Sequence, residues 1–215
     1  MIDLHMHSTF SDGELIPSEV VSRALFAGYT HLAITDHVDP SNIEHVLKGM
    51  IHVCAQLRGK VGAKVYPGVE ITHVPPRLIG PLVVLARRKG AKVVIVHGET
   101  IVEPVPKGTN LAAIEARADI LAHPGLITAE ETRLAGKNGV LLEITARRGH
   151  SLSNGHVARM AAKHGARMVY NTDSHSPQDF TPWESALKII RGAGLSEADA
   201  GRMQKNALEL LEGKE

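Results

Sequence analysis

Residues 3–13, DLHMHSTFSDG, and residues 171–175, NTDSH, stand near opposite ends of a 215-residue chain, and both carry metal-ligating side chains at alternate positions. Successive side chains of an extended strand leave from opposite faces. Asp3, His5 and His7 therefore share one face, as do Asn171, Asp173 and His175. Each segment can aim two ligands at one point from a rigid strand end. Imidazole nitrogen combined with carboxylate oxygen suits zinc, manganese or iron, and such mixed sets recur where a cation must also hold water or an oxyanion.

Further candidates lie inward from these ends, each beside a β-rich run: His37 in AITDH, Glu70 in VYPGVEIT, His97 in VVIVHGE and His123 in ILAHPG. With Asp12 this makes nine possible metal ligands: His5, His7, Asp12, His37, Glu70, His97, His123, Asp173 and His175. Strand-like runs are predicted at 2–7, 31–35, 64–71, 92–97, 119–123, 140–144 and 167–171. Helical patterns fall at 17–27, 41–58, 77–89, 111–117, 129–138 and 155–164, and two more, at 182–191 and 196–211, follow the last strand. The repeated strand-then-helix order predicts parallel strands joined by right-handed crossovers.

Ligand placement chooses between an open sheet and a closed barrel. His7, His37, Glu70, His97, His123 and Asp173 fall at or just beyond the C-terminal ends of successive strands. A barrel gathers those ends into one rim, whereas an open doubly wound sheet strings them along an edge. The expected fold is α/β: a distorted seven-stranded (β/α)7 TIM-like barrel, a single domain over residues 1–215, with a metal cluster at its C-terminal face.

Composition agrees with a globular enzyme. The hydrophobic share is 43% and the charged share 22%, and a formal charge of +1 argues against a surface that coats nucleic acid. Cys54 is the single cysteine, so no intrachain disulfide forms, and it is expected to pack as a small apolar residue. No signal-like segment or 18-residue apolar run is present, so a cytoplasmic protein with no membrane contact is expected.

The motifs resemble those of the PHP (polymerase and histidinol phosphatase) family over essentially the whole chain. DLHMHSTFSDG is similar to that family's first motif, AITDH to its second, PGVE to the segment with its bridging glutamate, VHGE and AHPG to its third group and NTDSH to its last. The resemblance implies two to three divalent ions, of zinc, manganese or iron. His5, His7, Glu70 and Asp173 would hold one and His97 and His123 a second, with Glu70 bridging the two. Asp12, His37 and His175 would hold a third. A shared carboxylate is sensible because two cations a few ångströms apart repel. The chemistry implied is hydrolysis of a phosphate ester by a metal-activated water.

Arg147, Arg148 and His150 follow the sixth strand in LEITARRGHSLSNGH and are expected to contact substrate, with Arg148 placed at the reaction centre beside Glu70 and Asp173. Arg77, behind the prolines of VPPR, is a further substrate contact, and Thr72 and His73 lead into a loop that lines or gates the pocket. Asp3 is read either as the partner that orients an imidazole or as a polar residue satisfied inside the barrel. Glu143 is either a rim contact or a buried ion-pair partner, and Glu99 either a proton-transfer group or a salt-bridge partner. Residues 101–110, rich in Pro and Gly, read as a surface loop bordering the site. His45 and His52 share a helix face and are read as structural.

Three functions fit. The leading expectation is a phosphomonoesterase on a small phosphorylated metabolite, like a histidinol phosphatase. The others are a phosphodiesterase or exonuclease on nucleotides or short oligonucleotides, and a noncatalytic metal-binding module. An aromatic share of only 3% leaves little material for stacking bases, so stable nucleic-acid binding is not expected.

Overall fold

The computed structural model describes residues 1–213, so Lys214 and Glu215 of the expected 1–215 domain lie outside the described residues. The strands are β1 (Ile2–Asp3), β2 (His31–Ile34), β3 (His37–Val38), β4 (Lys64–Ile71), β5 (Val93–His97), β6 (Ile120–Ala122), β7 (Leu141–Thr145) and β8 (Met168–Asn171). Every pairing is parallel, in the order β1-β2-β4-β5-β6-β7-β8, with β3 pairing β4 beyond the end of β2. The result is a nearly closed barrel of seven parallel strands, with β3 prolonging the line of β2.

Among the described residues eight α-helices accompany the strands: α1 (Pro17–Phe26), α2 (Ile43–Leu57), α3 (Pro76–Arg88), α4 (Thr109–Glu115), α5 (Ala129–Asn138), α6 (Asn154–His164), α7 (Trp183–Gly192) and α8 (Glu197–Glu212). Local chemistry sets their ends. At α5 the Thr128 side chain accepts from the Glu131 N–H while the Glu131 side chain accepts from the Thr128 N–H, a reciprocal cap of about 1 kcal/mol. Gly139 then stops the helix in the left-handed region at φ 75°.

Alternation along the strands divides the core. Val93 and Ile95, on the same face as His97, cluster with Ala33, Ile120, Leu141 and Val169. Their neighbours Val94, Val96, Leu121, Leu142, Ile144 and Tyr170 cluster instead with apolar residues of the helices. One layer therefore fills the barrel and the other packs it against its helical shell, which leaves the C-terminal strand ends for polar side chains.

The first strand is shorter than the predicted 2–7. Beyond Asp3 the backbone N–H groups of Leu4, His5 and Met6 donate to side chains, respectively Asn171 Oδ1 at 2.9 Å, Asp3 Oδ1 at 3.1 Å and Thr35 Oγ1 at 3.3 Å. Side-chain acceptors have replaced the ladder. The barrel closes at this point, where the Asp173 N–H donates to the His5 carbonyl at 2.9 Å and the His7 N–H to the Ser174 carbonyl at 2.8 Å. Two ligand-bearing segments from opposite ends of the chain are thus joined backbone to backbone. No helix among the described residues is long and apolar enough to cross a membrane.

Candidate metal centre

The nine candidate ligands converge. Asp12, His37, His97, His123, Asp173 and His175 line a cavity of ≈ 460 Å³, and His5, His7 and Glu70 are buried beneath it. Glu70 is the hub: Oε2 lies 3.2 Å from His5 Nε2, 3.4 Å from His7 Nε2 and 2.8 Å from His37 Nδ1, and Oε1 lies 3.8 Å from His123 Nε2. Asp173 Oδ1 is 3.2 Å from His7 Nε2 and 3.5 Å from His5 Nε2, and its Oδ2 is 3.5 Å from His123 Nε2. Farther out, Asp12 Oδ1 stands 3.3 Å from His175 Nε2 and 3.5 Å from His37 Nε2.

Among the described residues five groups have donor atoms within 4.8 Å of one another, and three of them are made only of the nine candidates: His5, His7 and Asp173; Glu70, His97 and His123; and His7, Asp12, His37 and His175. Whether cations fit is tested by the polar atoms at the centre. His5 Nε2, both nitrogens of His7, His123 Nδ1, Glu70 Oε1 and Asp173 Oδ1 are buried and make no hydrogen bond. Buried polar atoms left unsatisfied cost about 1–3 kcal/mol each, more when charged. Such a concentration at one point matches a site built for divalent ions, and the mixed N/O donors are those that suit zinc, manganese or iron.

The backbone is bent to aim these groups. His123 and Asp173, each just past a strand end, have φ of 26° and 54°, a region that non-glycine residues enter at a cost of about 1–3 kcal/mol. Electrostatics divides the imidazoles. Burial, reinforced by His37 and His175 beside His7 and by His97 beside His123, holds both rings well below their usual pKa and so neutral, with lone pairs free. Burial also opposes charge on His5 and His37, but carboxylates overcome it: Glu143, Asp173 and Glu70 hold His5 well above its usual range, and Glu70 raises His37 to about 9. Burial pushes the Asp173 carboxyl up to about 6 against the pull of His5.

Glu143 orients His5. It is fully buried, and its Oε1 accepts from His5 Nδ1–H at 2.8 Å and from Asn171 Nδ2 at 2.8 Å, while Oε2 accepts the His123 N–H at 3.1 Å. The His5 tautomer that results leaves Nε2 facing the cluster. Asp3 does something different: it accepts from the backbone N–H groups of His5 and Thr172 and from the Thr172 hydroxyl at 2.6 Å, so it ties β1 to β8 rather than orienting an imidazole. Asp36, beside His37, accepts from Ser8 and Ser11 and so pins the loop that carries Asp12. Neither partnership is readable from spacing, because each joins segments distant in sequence.

The substrate contacts divide. Arg147 and His150 line the cavity, whereas Arg148 and Arg77 are exposed and are not among the residues that line it. Arg147 Nη1 pairs with Asp179 Oδ2 at 3.4 Å, and that carboxylate also accepts the His175 N–H at 3.0 Å. His150 is stacked on His123 with ring centroids 4.2 Å apart. Thr72 and His73 line the cavity as expected. Glu99 faces the neighbouring helix rather than a reacting group: its Oε1 accepts the N–H groups of Gly108 and Asn110, at the start of α4. His52 is exposed, and burial pushes the Cys54 thiol up to about 12. Ser11, Asn42 and Glu103 also line the cavity without having been singled out in the sequence.

A PHP domain profile matches residues 3–101. The uncharacterized protein MJ1295 of Methanocaldococcus jannaschii is 43% identical over 199 residues, covering 92% of this chain and 91% of that one. The chain belongs to the PHP family. Solved structures agree with this PHP fold. Histidinol phosphate phosphatase (HISK) from Lactococcus lactis subsp. lactis Il1403, complexed with zinc, L-histidinol and phosphate, superposes with a TM-score of 0.63 at 18% identity, covering 91% of this chain and 94% of that chain. A chain of an archaeal ribonuclease P with mature tRNA gives a TM-score of 0.71 at 17% identity, covering 100% of this chain and 91% of that one. At such identities the likeness is one of fold.

Proposed function

We propose that this PHP protein is a metal-dependent phosphoesterase that hydrolyses phosphomonoesters of small metabolites, with His5, His7, Asp12, His37, Glu70, His97, His123, Asp173 and His175 holding three divalent ions. The observation that carries this reading is the buried, unsatisfied ligand set converging on Glu70 beneath an open cavity. Bound divalent ions supply Lewis acidity at phosphoryl oxygens and lower the pKa of a water. The chain's own residues do the rest. Glu143 holds His5 in the tautomer that presents Nε2, and Asp173 and Glu70 provide anionic oxygens that balance the cations.

Among the described residues, Arg147 is the one arginine that lines the cavity, where its guanidinium can take two oxygens of a phosphoryl group. Asp179 holds it there. Among the described residues no Phe, Tyr or Trp lines the cavity, so that wall offers no indole or phenyl platform on which a strand of bases could stack. A volume of ≈ 460 Å³ fits a compact phosphorylated metabolite.

Two measurements test the reading. Protein reconstituted separately with zinc, manganese and iron is assayed against phosphomonoesters, histidinol phosphate among them, and against phosphodiesters and short oligonucleotides. Turnover of monoesters that disappears on chelation and returns with metal is expected. Diester turnover alone overturns the substrate class, and undiminished activity in demonstrably metal-free protein overturns the mechanism.

The arginines supply the second test. Arg147→Ala is expected to lower kcat/KM by roughly ten- to hundredfold, the equivalent of losing about 1.5–3 kcal/mol of hydrogen bonding to a charged group, with metal content unchanged. Arg148→Ala, at an exposed position, is expected to match the parent. Loss in the Arg148 variant alone would show that the clamp has been assigned to the wrong side chain.

A further inference from the structure

Glu103 belongs to no barrel strand. It sits in the exposed loop 101–108, yet its carboxylate reaches into the cavity and meets three imidazoles. Oε2 lies 3.1 Å from His97 Nε2 and 3.3 Å from His73 Nε2, and Oε1 lies 3.3 Å from His150 Nε2. His73, His97 and Glu103 have donor atoms within 4.8 Å of one another.

The hydrogen bonds on the other ring nitrogens distinguish these imidazoles. His97 Nδ1 lies 3.2 Å from the Gly98 carbonyl, which only accepts, so a neutral His97 that donates to it presents a lone pair at Nε2. His150 Nδ1 lies 2.7 Å from the Thr100 hydroxyl, which can donate and leave Nε2–H to give to Glu103 Oε1. Between Glu103 and His150 there is then an ordinary hydrogen bond. With His97 in that neutral form, two lone pairs face each other at 3.1 Å between it and Glu103, an arrangement that needs a positive charge between them. Donor atoms around one ion, each near 2.0–2.1 Å from it, stand about 3.3 Å apart in tetrahedral geometry. The observed separations are of that size.

We propose that Glu103 is an additional ligand of the cation held by His97, delivered by the 101–108 loop and steadied by His150 and His73; the inference rests on the metal-dependent reading given above. It makes one of the ions depend on a loop rather than on the barrel. An anionic oxygen from outside the barrel also raises the negative charge around that ion, which strengthens its retention and adds repulsion toward an incoming phosphate. The rival arrangement is a proton in place of the cation, an imidazolium–carboxylate pair with no bearing on metal binding.

The test is metal affinity, read without any assay of turnover. Metal-free full-length protein is titrated with zinc and with manganese against a competing chromogenic chelator, for the parent, Glu103→Gln, Glu103→Ala and His150→Gln. Both Glu103 variants are expected to weaken one ion by about 10- to 100-fold or more, since losing even the hydrogen-bond partner of a ligand has that effect, and to leave the others unchanged. His150→Gln is expected to weaken the same ion by less. Unchanged affinities in both Glu103 variants, or an equal weakening of every ion, would overturn the assignment while leaving the phosphoesterase reading intact. A parent protein that binds no metal would overturn both.

Discussion

Glu70→Gln should abolish turnover and strip the protein to at most one tightly bound ion while leaving the barrel folded. The substitution keeps size and removes charge from the carboxylate that lies within 3.8 Å of His5, His7, His37 and His123. Two cations sharing that carboxylate would lose their common anion, and their repulsion in a low-dielectric site would then be unscreened. A loss of about 4 kcal/mol or more in transition-state stabilisation corresponds to about a thousandfold or more in rate. The backbone contribution survives, because the residue 70 N–H donates to the Asp36 carbonyl at 3.0 Å whatever the side chain. His52→Gln, at an exposed position of α2, is the control and should change neither metal content nor rate. Elemental analysis, kinetics and circular dichroism on both variants decide it. Equal losses in the two would show that ligand and scaffold residues have been confused, and full metal occupancy in Glu70→Gln would remove the bridge from the mechanism.

The largest expected effect on stability comes from a glycine beside the site. Gly125 follows His123 and Pro124 at φ 60°, and a Cβ added there would lie 2.0 Å from the Glu99 carbonyl oxygen. Gly125→Ala therefore combines left-handed strain of about 1–2 kcal/mol with an overlap that only backbone movement relieves, for about 3 kcal/mol or more in all. At about 2–4 °C per kcal/mol for a chain of this size, the unfolding midpoint of the metal-free protein should fall by about 6–12 °C. Gly139→Ala separates the two causes. It has φ 75° but nothing within 4 Å of the added carbon, so it should show the strain without the overlap and fall by only a few degrees. Equal shifts would mean that the approach of Gly125 to Glu99 is not tight in solution. The same contact supports the 101–108 loop, because Glu99 in turn accepts from Gly108 and Asn110.

Much of this architecture is written in local pattern. Strand alternation with repeated intervening helices predicts a parallel α/β barrel, and a ligand at each strand end predicts the rim, since both depend only on the two-residue period of a strand and the order of elements. His5, His7, Glu70, His97, His123 and Asp173 could be picked out one by one for that reason. What needed the tertiary structure was every choice between partners remote in sequence. Glu143 and Asp3 both face the barrel interior by alternation, and only the packing of β7 against β8, together with the closure of β8 onto the segment after β1, shows that Glu143 reaches His5 while Asp3 turns to Thr172. Arg147 and Arg148 are adjacent, and one residue of rotation sends the first to Asp179 and the cavity and the second to solvent. Glu103 was legible only as part of a loop, because a loop has no period and the direction of its side chains is set by what it rests on. In this chain the strands determined where the candidate ligands converge, and contacts between distant segments determined which neighbouring side chains meet them.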